Sequence, residues 1–210
     1  MKIHDYFRSG ACYRLRIALN MKGLQVERVV HHLQKGEQTA PSYLALNPQG
    51  LVPALEIGEG QVLTQSLAII EWLEETHPEP PLLPKDPIRR AKVRAFALAI
   101  VADTHPIQNL RVLNRLRSMG HDEAAVKGWA AWVNETGLSS CETIAAKEKG
   151  PFCFGEAPTL ADICLVPQMV NARRFGVDVS KFPRLLEAEA AAKSLKAFAD
   201  AAPERQPDAE

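Results

Sequence analysis

Residues 77–87, "HPEPPLLPKDP", carry five prolines in eleven positions. Proline fixes φ and has no backbone N–H, so neither a helix nor a strand runs through such a stretch, and a stiff connector is predicted. The connector divides the chain into two parts with different patterns. Before it, short β-branched runs alternate with helical periodicity. After it, only the helical period recurs. The full length of 210 residues suffices for one large core or two small ones.

In the first part, Lys2 to Tyr6 reads as a short strand. Cys12 to Lys22 reads as a helix, with Leu15, Ala18 and Leu19 at helical spacing and Gly23 as its stop. Val26 to His31 is a β-branched strand. "SYLALNP" is a short helix ended by Asn47-Pro48. "VPALEI" and "QVLT" flank the turn "GEG" as a hairpin, and "QSLAIIEWLEETH" is an amphipathic helix. The order β-α-β-α-β-β-α predicts a small mixed sheet flanked by helices, a thioredoxin-like α/β domain over 1–77. A linker over 78–87 and an all-α domain over 88–210 follow. The expected helices there run from Ile88 to about Met119, Asp122 to Lys149, Leu160 to Phe175 and Pro183 to about Ala201. The polar tail "PERQPDAE" is expected to fray.

Composition narrows the function classes. Lys plus Arg equals Asp plus Glu, so no global basic field exists to attract nucleic acid or an anionic membrane. No apolar run approaches the roughly 20 residues of a membrane span. The start "MKIHDYFRSG" lacks the pattern of a signal peptide, and a cytoplasmic location is expected. Cys12, Cys141, Cys153 and Cys164 form no C-x-x-C pair and no Cys/His cluster. A dithiol redox enzyme is therefore disfavoured and no metal is expected.

Three local features stand out. Pro53 opens a strand at the position where a thioredoxin-like fold usually has a cis proline, which leaves the backbone of Val52 to pair with a bound peptide. The plain alternative is a proline that merely begins a strand. Gln65 and Ser66 open a helix whose first N–H groups suit a carboxylate, although a serine N-cap explains Ser66 equally well. Thr159 and Asp162 are spaced as a capping box, a structural device.

"YFRSGACYRLRIALNMKG", "LNPQGLVPAL", "QSLAIIEWLEE", "LLPKDPIRRAKVRA", "PIQNLRVL" and "LADICLVPQMVNARRFGVD" together resemble the zeta class of the glutathione transferase superfamily. The resemblance runs from Ile3 to about Phe182. It implies the glutathione transferase fold, reduced glutathione as cofactor and a homodimer. The implied activity is cis-trans isomerisation of maleylpyruvate, with maleylacetoacetate isomerisation or general conjugation as alternatives. A non-catalytic binding protein of the same fold is a further rival; the presence of Ser9 and the Gln65-Ser66 pair opposes it.

One departure matters. Ser9 matches the first serine of the class signature, but Gly10 stands for the second serine and Ala11 for the class cysteine. Cys12 lies one position on, about 100° around the helix. The resemblance therefore assigns the reactive sulfur to glutathione, with Ser9 and the helix N-terminus at Gly10 and Ala11 favouring its thiolate. Val52 and Pro53 are expected to pair with the cysteinyl backbone and Gln65 and Ser66 to hold the γ-glutamyl end. Gln38 is expected at the glycyl end and Gln108 beside the site, unless these two are ordinary surface glutamines. The small dicarboxylate substrate calls for cations, and Arg8, Arg111 and Arg174 are the candidates. His105 is a candidate to polarise the keto group, against the plain reading of a structural histidine. Arg14 and Arg16 read as structural ion-pair formers.

Overall fold

The computed structural model describes residues 1–210. It consists of two compact units, Met1–Pro81 with Leu195–Glu210, and Leu82–Ser194.

The first unit begins with strand β1 (Lys2–Asp5), helix α1 (Gly10–Met21) and strand β2 (Glu27–Val30). Helix α2 (Pro41–Leu44), strands β3 (Ala54–Gly58) and β4 (Gln61–Thr64) and helix α3 (Ser66–Thr76) follow. The sheet order is β2-β1-β3-β4, with β1 parallel to β2 and antiparallel to β3, and β3 antiparallel to β4. This is the thioredoxin-like arrangement expected from the element order. Local chemistry sets the boundaries. Ser9 caps α1 by accepting from the Cys12 N–H, and Gly23, at φ 67°, ends the helix in the left-handed region. Leu15 and Ala18 of α1 and Ile69, Ile70 and Leu73 of α3 are buried, and these two helices pack together.

The second unit contains α4 (Pro87–Val101), α5 (Leu110–Ser118), α6 (Glu123–Ala145), α7 (Leu160–Arg174) and α8 (Pro183–Lys193). Helix α7 touches α4, α6 and α8, and from Leu160 to Met169 every residue is buried, as a central helix must be. Its capping box forms as the spacing predicts: the Asp162 carboxylate accepts from the Thr159 N–H at 2.8 Å and the Thr159 hydroxyl from the Ala161 N–H at 3.2 Å.

The helical half departs from expectation in four places. The helix expected from Ile88 to Met119 is broken over 102–109. Pro106 has no N–H to continue it, the Thr104 hydroxyl turns back to the Ala99 carbonyl at 2.7 Å, and Asn109 caps a new helix by accepting from the Arg111 N–H. Helix α6 stops at Ala145 rather than Lys149. The last predicted helix is also split, since α8 ends at Lys193 and a short α9 (Lys196–Asp200) follows.

The fourth departure concerns the end of the chain. Residues 195–210 join the first unit, whereas the sequence reading grouped them with the helices of 88–210. Phe198 is fully buried, and three side chains of α1 reach carbonyls of this segment. Arg16 Nε donates to Ala201 at 3.0 Å, Asn20 to Ala197 at 3.0 Å and the Tyr13 hydroxyl to Phe198 at 3.4 Å. The tail is ordered rather than frayed. Gln206 donates from Nε2 to the carbonyls of Asp200 and Ala202, at 2.9 and 2.8 Å.

Candidate active site

The loop between β1 and α1 carries Arg8 and Ser9. The Ser9 N–H donates to the Tyr6 carbonyl at 3.0 Å, and its Oγ accepts from the Cys12 N–H at 3.2 Å. A hydroxyl that accepts a cap bond keeps its own proton to donate, so capping and holding an anion are compatible. Ser9 and Ala11 are partly exposed and Gly10 is buried. The Arg8 side chain is exposed, with its guanidinium 5.9 Å from the centre of the Phe7 ring.

Cys12 is fully buried in a cluster with Tyr6, Phe7, Tyr43, Val52 and Ala54. Burial pushes its thiol well above the ordinary range, with Asp5 adding to the effect. A thiol in that setting is a packing group.

The start of α3 forms a second locus. Ser66 is buried, and its Oγ accepts from Arg14 Nε at 3.2 Å. Arg14 is itself buried, so a guanidinium sits beside the positive end of a helix dipole. Gln65 has φ 68° and ψ 112°, a strained conformation for a residue with a side chain, and its amide donates to Gln49 Oε1 at 2.8 Å. Such strain persists where the surroundings demand it, which is common at ligand sites.

Val52 precedes a cis peptide bond to Pro53, and β3 pairs with β1 and β4 only from Ala54 onward. Val52 packs in the same cluster as Phe7 and Cys12, which brings it to the β1–α1 loop. Gln38 lies in the 3₁₀ turn Glu37–Thr39. Its Oε1 is buried without a hydrogen-bond partner in the protein, so it can accept from a donor on a bound molecule. A Cβ on Gly50, at φ 61°, would come within 3.3 Å of the Gln38 carbonyl, so glycine keeps that turn close.

The second unit holds the remaining candidates. His105 and Gln108 occupy the break between α4 and α5, and Arg111 lies on the first turn of α5. The Gln108 amide approaches His105 Nδ1 at 3.5 Å, while its Oε1 is buried and unpartnered. Trp129 Nε1 donates to the Ile107 carbonyl at 3.0 Å and ties this turn to α6. Arg174 ends α7 with its guanidinium 4.8 Å over the Phe175 ring. Phe175 packs against the Leu113, Val126 and Ala130 cluster, which links the end of α7 to α5. Arg111 and Arg174 are exposed. No group of three or more His, Cys, Asp and Glu side chains is placed to hold a metal.

A family profile described as "Glutathione S-transferase, N-terminal domain" matches residues 3–81. A maleylpyruvate isomerase of Ralstonia sp is 48% identical over 99% of both chains. A maleylacetoacetate isomerase of Pseudomonas aeruginosa is 47% identical over 99% of this chain and 98% of its own. The holo structure of a maleyl pyruvate isomerase, described as a bacterial zeta-class glutathione-S-transferase, matches all of both chains with TM-score 0.97 at 48% identity. The chain is a zeta-class glutathione transferase. A maleylacetoacetate isomerase of Methylobacterium extorquens AM1, solved with bound malonate and glutathione, also matches all of both chains, with TM-score 0.97 at 41% identity.

In this transferase Arg14 takes a place that the sequence reading did not give it. The sequence predicts a structural ion-pair former, and the structure adds a direct bond from Arg14 to Ser66. The signal lies in "YRLRIAL", where two arginines two positions apart point about 200° from one another around the helix, so one solvent face does not hold both.

Proposed function

We propose that this transferase isomerises maleylpyruvate to fumarylpyruvate with reduced glutathione as cofactor. The observation that carries the reading is the pairing of Ser9 with Cys12. The Ser9 hydroxyl caps α1 from the loop, while the cysteine of its first turn is sealed in the core. The chain thus provides a donor for a thiolate and no reactive sulfur of its own.

Bound glutathione supplies a thiolate whose reversible addition to the substrate double bond frees that bond to rotate. The Ser9 hydroxyl donates a hydrogen bond to the sulfur, and the α1 N-terminus at Gly10 and Ala11 adds its dipole. Ser66 and Gln65, backed by the buried Arg14 charge, hold the γ-glutamyl carboxylate. Val52 pairs through its backbone ahead of Pro53. Gln38 offers its unpartnered Oε1 to a donor at the glycyl end, and Gln108 offers its own beside the site. Arg8, Arg111 and Arg174 pair with the carboxylates of the substrate, and His105 hydrogen-bonds its keto oxygen. The working form is a homodimer in the cytoplasm; no helix is long and apolar enough to cross a membrane.

Maleylacetoacetate is the second substrate to test, because a relative of that activity is 47% identical. Loss of each substrate's ultraviolet absorbance, with and without glutathione, tests the reading. Turnover of maleylpyruvate only with glutathione supports it. Turnover without glutathione overturns the role of the cofactor, and turnover of neither substrate favours a conjugating transferase.

A further inference from the structure

The backbone that leads into Ser9 is held by four charged side chains, one of which lies 201 residues from the peptide it binds. Asp5 is fully buried. Its Oδ1 accepts from the Tyr6 N–H at 2.8 Å and from an Arg16 terminal nitrogen at 2.7 Å. Its Oδ2 accepts from Arg28 Nε at 2.9 Å and also from Arg28 Nη2. The same Nη2 donates to Asp208 Oδ1 at 3.1 Å, and Asp208 Oδ2 accepts from the Phe7 N–H at 2.9 Å. Arg16 Nη2 donates to the Phe7 carbonyl at 3.0 Å. Both polar groups of Phe7 are therefore held by side chains, since β1 has already ended at Asp5. The next link is the Ser9 N–H on the Tyr6 carbonyl.

We propose that Asp208 is a positioning residue for Ser9, fixing the Tyr6–Phe7 backbone from the far end of the chain. Phe7 is buried, and removing Asp208 takes away the side-chain acceptor of its N–H. Arg28 loses its second carboxylate at the same time. The loop then relaxes, and small displacements of a group that meets the reacting atom weigh heavily on rate. Gln206, anchored on two carbonyls of the same segment, holds Asp208 in reach. The inference rests on the reading of Ser9 as partner of the glutathione thiol.

The test measures kcat, KM for glutathione, melting temperature and the pH titration of the bound thiol by thiolate absorbance. The variants are Asp208→Ala, Asp208→Asn, Ser9→Ala and the double variant S9A/D208A. Asp208→Ala is expected to lower kcat by about tenfold and raise the pH of thiol ionisation, with KM for glutathione within about twofold. Asp208→Asn keeps an acceptor for the Phe7 N–H and is expected to recover most of the rate. In the S9A background, loss of Asp208 is expected to add less than about twofold, because the two residues act as one unit. A folded Asp208→Ala enzyme with unchanged kcat and unchanged thiol titration overturns the inference while leaving Ser9 in place. If Asp208→Ala does not fold, the same readouts on Arg28→Lys, which loosens the Arg28–Asp208 link, decide it, and a lower melting temperature with unchanged kcat in that variant reduces the link to a staple. An unaltered Ser9→Ala enzyme instead removes Ser9, and this inference with it.

Discussion

Arg14 Nε lies 3.2 Å from Ser66 Oγ, joining the first helix of the transferase to the first residue of its third. Both side chains are buried, so the contact places a fixed positive charge behind a helix N-terminus. Arg14→Lys keeps the charge but loses the planar fork. It is expected to raise KM for glutathione by about tenfold while kcat at saturating glutathione stays within about threefold. Steady-state kinetics over a range of glutathione concentrations checks this, and an unchanged KM removes Arg14 from the carboxylate locus.

Ser9 has a capping role and a proposed chemical one, and the two separate by magnitude. Loss of the cap costs about 1 kcal/mol of stability. Loss of a hydrogen-bond donor to a reacting anion lowers kcat by roughly 10²-fold. Ser9→Ala is therefore expected to show a small drop in melting temperature and a large drop in turnover. Ser9→Thr, which retains the hydroxyl, is expected to recover part of the rate.

Cys12 is expected to be dispensable for turnover. Cys12→Ala should leave kcat within about twofold, since a buried neutral thiol contributes packing rather than nucleophilicity. The thiol also makes stability depend on pH. Burial raises the folded-state pKa of Cys12, Cys141 and Cys153, that of Cys141 to about 12. Their contribution is complete below the unfolded thiol pKa of about 8.5 and is lost as pH rises from there toward the folded values. Melting temperature is expected to fall above about pH 8.5, and less steeply in Cys12→Ala. Thermal melts across that range, at fixed ionic strength, measure it.

The proposed function gives the exposed arginines of the second unit, Arg111 and Arg174, a role toward substrate rather than cofactor. Arg111→Ala and Arg174→Ala are each expected to raise KM for the dicarboxylate by about three- to tenfold, with KM for glutathione unchanged. Stability should shift by less than about 0.5 kcal/mol, as for other exposed side chains. A variant with equal changes in both KM values points to a structural effect instead.

The parts of the fold that were legible in sequence rest on short-range chemistry. The Gly23 stop, the "GEG" turn and the Thr159–Asp162 box each depend on hydrogen bonds or φ values within a few residues. The break over 102–109 is hidden in the sequence because helical periodicity continues on both sides of it. The polar tail looked unanchored because its partners, the Phe7 N–H and Arg28, stand at the other end of the chain.

The same division holds at the candidate site. By itself the sequence determined the element order, the connector and the resemblance that singles out Ser9, Val52, Gln65 and Ser66. Only the tertiary structure decided that Arg14 backs Ser66, that Cys12 is sealed and that Asp208 reaches the loop ahead of Ser9. The physical reason is separation. Periodicity and capping report what a residue does to its near neighbours, whereas Arg14 and Ser66 stand 52 residues apart and Phe7 and Asp208 stand 201 apart. Burial, which turns the thiol of Cys12 from a nucleophile into core, exists only once the helix and the sheet have closed over it.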